Sequence, residues 1–381
     1  MQTTRRHTFK LIGLALAMSA VTLPSLASHG GNENDGDSDG FRFGKVFTSS
    51  NAAAGNELLV YDTNVAGPLS LVTRLATNGV GSGGGLGNQG AVTLSGNGRF
   101  VFVVNAVSNT VSTFSIRRQG LTLESTVDSG GLRPISVTEH EGLVYVLNAA
   151  GAGNVAGFRN HGGVLQAVAG SVQPLSAATG TGSAQVGFGA EGESLIVTEK
   201  GTNRLTSYRV RADGSIGAPL VTASNGATPF GFAVDRRGNL LVSEAFGGAA
   251  GASALSSYAF SDAAPATPML VSGSVANTQS AACWVVVTPN GRHAYTTNTA
   301  SGTISLYGVQ KSGQLALLQG IAATSGAGPI DAAMAPHGRT LFVLNAGSGS
   351  ISSFTVGKDG RLGHIGSIGG VPAGSNGLAA N

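Results

Sequence analysis

Two glutamates stand where five sister positions carry a neutral polar residue. Glu199 and Glu244 each close an apolar run, in SLIVTEKGTNRLTSY (194–208) and LLVSEAFGGAAGASALSSY (240–258). The corresponding residues elsewhere are Ser50, Asn105, Asn148, Asn298 and Asn345. Neighbouring carboxylates with little access to water push one pKa upward, as a general acid or base requires. The same pair suits a hard cation such as calcium. Two solvated surface acids would read the same way in sequence. The asparagines have a plainer duty: such a side chain caps the amides of the turn that follows it.

Further candidates occupy the segments that lead into the next apolar run: Gln89, Arg133, Gln185, Phe230, Trp284 and Asp331. Arg133 is the one cation at its place, and its fork of donors fits a carboxylate or a phosphate. Trp284 is the only tryptophan; it either stacks on a flat ligand or packs between sheets. The stretch GGAAGAS after Glu244 lengthens its turn, as a flap beside a site or simply as a long turn.

The elements that hold these residues repeat. RFVFVVNAVSNTVSTF (99–114) and RTLFVLNAGSGSISSF (339–354) are almost one phrase, and LVYVLNAAGAGNVAGF (143–158) and HAYTTNTASGTISLY (293–307) vary it. With the two glutamate copies and KVFTSSNAAAGNELLVY (45–61) there are seven, their marker residues 43 to 55 positions apart. Each is preceded by a short apolar run and a turn with glycine, as in VVTPNGR and AMAPHGR, where a tight hairpin needs positive φ. Each is followed by another turn and a fourth apolar run. The unit is therefore four short antiparallel strands, with alternation predicting one buried face in strands two and three. No sustained 3.6-residue apolar period predicts a helix after the first 27 residues. Sheets of about 45 residues cannot cover themselves, but seven packed face to face around an axis can. The expected fold is all-β, a seven-bladed β-propeller over 41–381. The first copy lacks a preceding strand, and VPAGSNGLAAN (371–381) supplies a spare one to close the ring.

Residues 1–27 read as an export signal: Arg5, Arg6 and Lys10, an apolar stretch too short to span a bilayer, then Ser25-Leu26-Ala27 as a cleavage site. Residues 28–40 read as an acidic, solvated linker. Asp35, Asp37, Asp39 and Gly40 resemble the start of a calcium loop, but Val46 stands where its closing glutamate belongs. Taking three basic residues from 22 leaves 19 against 19 acidic ones, so the remaining chain is neutral. That excludes a nucleic-acid partner driven by counterion release. The expected location is periplasmic or extracellular, with no membrane span after the signal is removed. Cys283 is the sole cysteine, so no intrachain disulfide forms. Nucleophile-elbow, Walker, zincin and paired-cysteine motifs are missing, and GSGGGLG (81–87) reads as a connection between blades.

YVLNA, FVVNA and FVLNA, followed by SNTV or GSI and then by a D-G-x-L turn, resemble the YVTN/lactonase-type seven-bladed propellers. That family includes 6-phosphogluconolactonases and carboxymuconate-lactonizing enzymes. The resemblance covers 41–381 and implies opening or closing of a lactone, with a small organic acid or lactone as partner and no required cofactor. In the family this chemistry is attributed to His, Arg and Glu over the central channel. Here His140, His293 and His337 fall at the turns between strands one and two, His161 in a third turn and His364 on an outer strand. No family catalytic residue therefore transfers position by position. Glu199 or Glu244 as acid/base and Arg133 as anchor is one reading; a non-catalytic propeller with a protein partner is the second.

Overall fold

A computed structural model describes residues 44–63, 68–261 and 267–381. The expected signal and acidic linker lie outside these residues. The described chain forms seven antiparallel sheets. Their innermost strands are Asn376–Ala380 (blade one), Val92–Leu94 (two), Leu132–His140 (three), Ser183–Phe188 (four), Pro229–Val234 (five), Ala282–Val287 (six) and Pro329–Met334 (seven). Each inner strand touches those of the two adjacent blades, and the seventh touches the first, so the ring is closed. Blade one is completed by the C-terminus as expected: Val46 pairs with Ala380, Phe47 with Ala379 and Ser49 with Asn376. Among the described residues there is no α-helix, only three-residue 3-10 turns at Ala190–Gly192 and Phe246–Gly248.

Strands two and three depart from the expected alternation. Ser194–Glu199 is buried at all six positions, and Phe100–Asn105 at five of six. The reason is geometric: each blade is covered on both faces by its neighbours. Alternation survives as chemistry instead, separating large apolar side chains from small hydroxyls such as Thr198, Thr206, Ser305 and Ser352, all within 1% of full burial. Those hydroxyls need partners once removed from water. Longer reaches tie one blade to the next. Tyr145 Oη donates to Gly214 O at 2.7 Å, and Tyr295 Oη donates to Gly360 O at 2.6 Å, each holding an outer turn of the following blade.

Ring closure rests on one terminal strand, and a ring missing it exposes two blade faces at once. A chain ending at Ser375 is expected to lose its cooperative thermal transition, as followed by calorimetry. A truncated chain melting at the full-length temperature would contradict this.

Candidate active site

The polar residue that ends strand two is a clamp on the connection arriving from the preceding blade. Asn105 accepts from Thr77 Oγ1 at 2.7 Å and donates to Ser112 Oγ at 2.9 Å. Asn345 accepts from Ser325 Oγ at 2.6 Å and donates to Ser352 Oγ at 2.9 Å. Asn148 and Asn298 do the same with Ser129 and Asn277. The two glutamates occupy this clamp. Glu199 accepts from Ser176 N at 3.0 Å, Thr206 Oγ1 at 2.7 Å, Thr202 Oγ1 at 2.8 Å and Ser176 Oγ. Glu244 accepts from Gly226 N at 2.8 Å, Ser274 Oγ at 2.6 Å and Ser256 Oγ. Both are fully buried, so the picture of two solvated acids is replaced by one of two carboxyl groups held by neutral donors. They share no hydrogen-bond partner and sit in separate blades.

Opposite the clamp the inner strand is irregular in blades three to seven. The register slips between Pro134 and Ser136, Ser183 and Gln185, Pro229 and Phe232, Ala282 and Trp284, and Pro329 and Asp331. Such bulges re-aim side chains at the end of a strand. Here they surround an unexpected occupant of the ring axis, the end of the glycine-rich segment 81–90.

Residues 87–90 touch five blades. Trp284 Nε1 in blade six donates to Asn88 O at 2.6 Å, and Asn88 Nδ2 donates to Ile135 O in blade three. Gln89 N donates to Ala184 O in blade four at 3.1 Å. The Gln89 side-chain amide pairs with the Val285 backbone in blade six, at 3.0 and 3.2 Å. In blade five, a Cβ placed on Gly231 would lie 2.2 Å from Gln89 Oε1, so glycine there makes room for the segment. In blade seven, the buried Asp331 carboxyl lies near enough to the Gly90 amide for that N–H to oppose the rise of its pKa. Only a segment lying across the axis reaches all of these. Asn88 Oδ1 is buried and has no partner among the described residues.

Above this segment, at the end carrying the inter-blade connections, stands a cation that the candidate set omitted. Lys200 Nζ donates to Gly87 O and lies 4.3 Å from the centre of the Phe230 ring, which itself packs 5.0 Å from Trp284. Burial among these groups pulls the Lys200 pKa down to about 8; the nearby Cys283 opposes the shift and Arg133 adds to it. Burial likewise pushes the Cys283 thiol up to about 11. Among the described residues no carboxylate lies within ion-pair distance of Lys200. A sequence signal existed: the residues following the seven clamps are Asn51, Ala106, Ala149, Lys200, Ala245, Thr299 and Ala346, with one charge among them.

Of the expected site residues, Arg133 remains exposed, at φ +57°, with its amide held by Asn109 Oδ1 at 2.7 Å. Gln89, Trp284 and Asp331 are brought together, but around the axial segment, with Trp284 and Asp331 buried. Gln185 binds the Phe232 backbone of the next blade at 3.0 and 2.7 Å. The loop after Glu244 leans on the following connection, with Gly251 N donating to Ser280 Oγ at 2.9 Å. His140, His161, His293 and His364 lie on strand ends or an outer strand. Among the described residues no three His, Cys, Asp or Glu side chains gather to hold a metal.

A family model described as "Lactonase, 7-bladed beta-propeller" matches residues 54–173 and 256–375. The chain belongs to this family. Lys200 and Phe230 lie between the two matched stretches. A Pseudomonas aeruginosa periplasmic gluconolactonase shares the fold at TM-score 0.69 and 16% identity, over 89% of this chain and 98% of that one. A Bacteroides uniformis protein proposed to be a 6-phosphogluconolactonase gives TM-score 0.69 and 16% identity, over 88% and 98%. At these identities the likeness is one of fold. Comparison with curated protein sequences returns no match.

Asp331 adds a pH signature to this lactonase-family propeller. Complete burial raises its pKa to about 8, against the backbone amides of Ala332, Leu378 and Gly90, which oppose the shift. The folded state therefore holds a proton that the unfolded chain releases near pH 4. The stability this contributes is complete below that value and is lost as pH rises towards about 8. Denaturant midpoints are expected to fall between pH 5 and pH 8 in the wild type and to stay flatter in Asp331→Asn. Equal slopes for the two proteins would contradict this.

Proposed function

We propose that this exported lactonase-family propeller opens a lactone of an organic acid at the axial mouth above residues 87–90. The observation that carries the reading is Lys200: a lysine with its pKa lowered to about 8, stacked on Phe230 and influenced by the exposed Arg133. Lysine tuned by desolvation into this range is suited to proton transfer. The exposed Arg133 favours an anionic substrate and offers its acid group a bidentate partner.

In the forward direction neutral Lys200 takes a proton from water as the water oxygen attacks the lactone carbonyl. The ring C–O bond then breaks, and the Lys200 ammonium returns the proton to the departing alkoxide. The product is the hydroxy acid. Glu199 and Glu244 are already saturated by their clamp donors, so their contribution is to hold blades four and five in shape. Export is supported by the signal-like residues 1–27 and by the periplasmic naming of the Pseudomonas relative in fold. No helix among the described residues is long and apolar enough to cross a membrane.

Hydrolysis of gluconolactone-type and other acid lactones, followed by a pH indicator and corrected for the uncatalysed rate, tests the reading. Lys200→Met is expected to lower kcat/KM at least about 100-fold, within the usual range for a proton-transfer group. Wild-type kcat/KM is expected to rise with pH and level off above about 8. Arg133→Ala is expected to raise KM chiefly. Glu199→Gln and Glu244→Gln are expected to keep most activity while lowering the melting temperature. Full activity in Lys200→Met, or loss confined to a correctly folded glutamate variant, would overturn the assignment.

A further inference from the structure

We propose that the axial segment 87–90 is the positioning element of the mouth: the Gly87 carbonyl holds the Lys200 amine against Phe230, and Trp284 anchors that carbonyl through its bond to Asn88 O. The activity arm of the test below rests on the reading of Lys200 just given; the positioning claim itself does not.

A lysine beside a channel mouth ordinarily extends its flexible stem until the amine reaches bulk water. Lys200 does not. Its stem is half-buried, and its Nζ is engaged by the carbonyl of Gly87. A neutral amine has two N–H donors and one lone pair. With one N–H spent on Gly87 O and Nζ over the Phe230 ring, the lone pair has few directions left. The acceptor must therefore be rigid for the amine to be oriented.

Rigidity comes from the ring itself. Residues 88 and 89 are fastened on opposite sides of the axis, to blades three and four and to blade six. Gly90 O accepts from Val137 N at 2.8 Å, so the exit from the segment is fixed as well. Gly87 is itself constrained: its φ is +63°, and a Cβ there would lie 3.2 Å from Lys200 Nζ. A side chain at 87 would press on the amine that the carbonyl holds. The extra length needed to reach the axis is visible in the chain, since Ser50 and Asn105 are 55 residues apart, the widest of the marker spacings. The same segment gives the mouth a floor, so a ligand is met from the loop side only.

Trp284→Phe keeps the ring against Phe230 and removes the N–H that holds Asn88 O. Gln89→Met independently removes both bonds to Val285. The chain has five lysines, so labelling with ε-13C lysine gives few resonances, and Lys200→Arg assigns the one of interest. In the wild type that resonance is expected to titrate near pH 8. In both variants its midpoint is expected to move upward by about one unit or more, as the amine is released to water. The pH–activity profile should move with it, with kcat falling and KM little changed. Fold retention is checked by far-ultraviolet circular dichroism. Folded Trp284→Phe and Gln89→Met proteins whose Lys200 midpoint stays at the wild-type value would overturn the proposal, whatever the activity shows. A shifted midpoint without any lactone turnover would uphold it and sink only the enzymatic reading.

Discussion

Burial on both faces of every blade is the constraint from which the rest follows. A four-stranded sheet with apolar side chains on either surface has no stable existence by itself, and its neighbours on both sides supply what it lacks. Once strands two and three are sealed in this way, their hydroxyls and amides depend on partners within the protein, because leaving one orphaned costs roughly 1–3 kcal/mol; Thr113, Thr297 and Ser353 are left without one among the described residues. The clamp at the end of strand two answers that need. Asn105, Asn148, Asn298 and Asn345 donate and accept at once, joining strand three to the incoming connection. Glu199 and Glu244 accept in every hydrogen bond recorded for their side chains, with Ser176, Thr202 and Thr206 around one and Gly226, Ser256 and Ser274 around the other.

The closed ring creates an axis, and the axis is where this chain departs from simple repetition. Seven inner strands surround an axis that residues 87–90 enter, touching five blades. The floor so formed brings together Gly87, Lys200, Phe230, Cys283 and Trp284, residues from four distant parts of the chain. Burial removes Lys200 from water and lowers its pKa to about 8, while Arg133 is left exposed.

The architecture was legible because it is written seven times. Periodic strand phrases, turn glycines and a spare terminal strand are local features, and each survived in the structure. Burial of strands two and three was misjudged, since alternation alone describes a sheet with one wet face and no blade interior has one. The site was legible only in pieces. Gln89, Trp284 and Asp331 were picked out by their place before an inner strand, and they do surround the axis. Their role as fasteners depends on where GSGGGLG travels, and a run of glycines carries no side chains to say so. Lys200 was overshadowed by Glu199 beside it; its character comes from Phe230 and Gly87, which no local pattern links to it. The signal and linker, residues 1–40, fall outside the described structure and stand on sequence alone.

The most direct test of this account is a crystal structure of the protein soaked with a hydroxy acid of the product class. Ligand density is expected on the loop side of Gly87 and Asn88, with the carboxylate on Arg133 and a ligand oxygen within hydrogen-bond distance of Lys200 Nζ. Density seated against Glu199 or Glu244 instead, or a ligand threaded through the axis with residues 87–90 displaced, would contradict it.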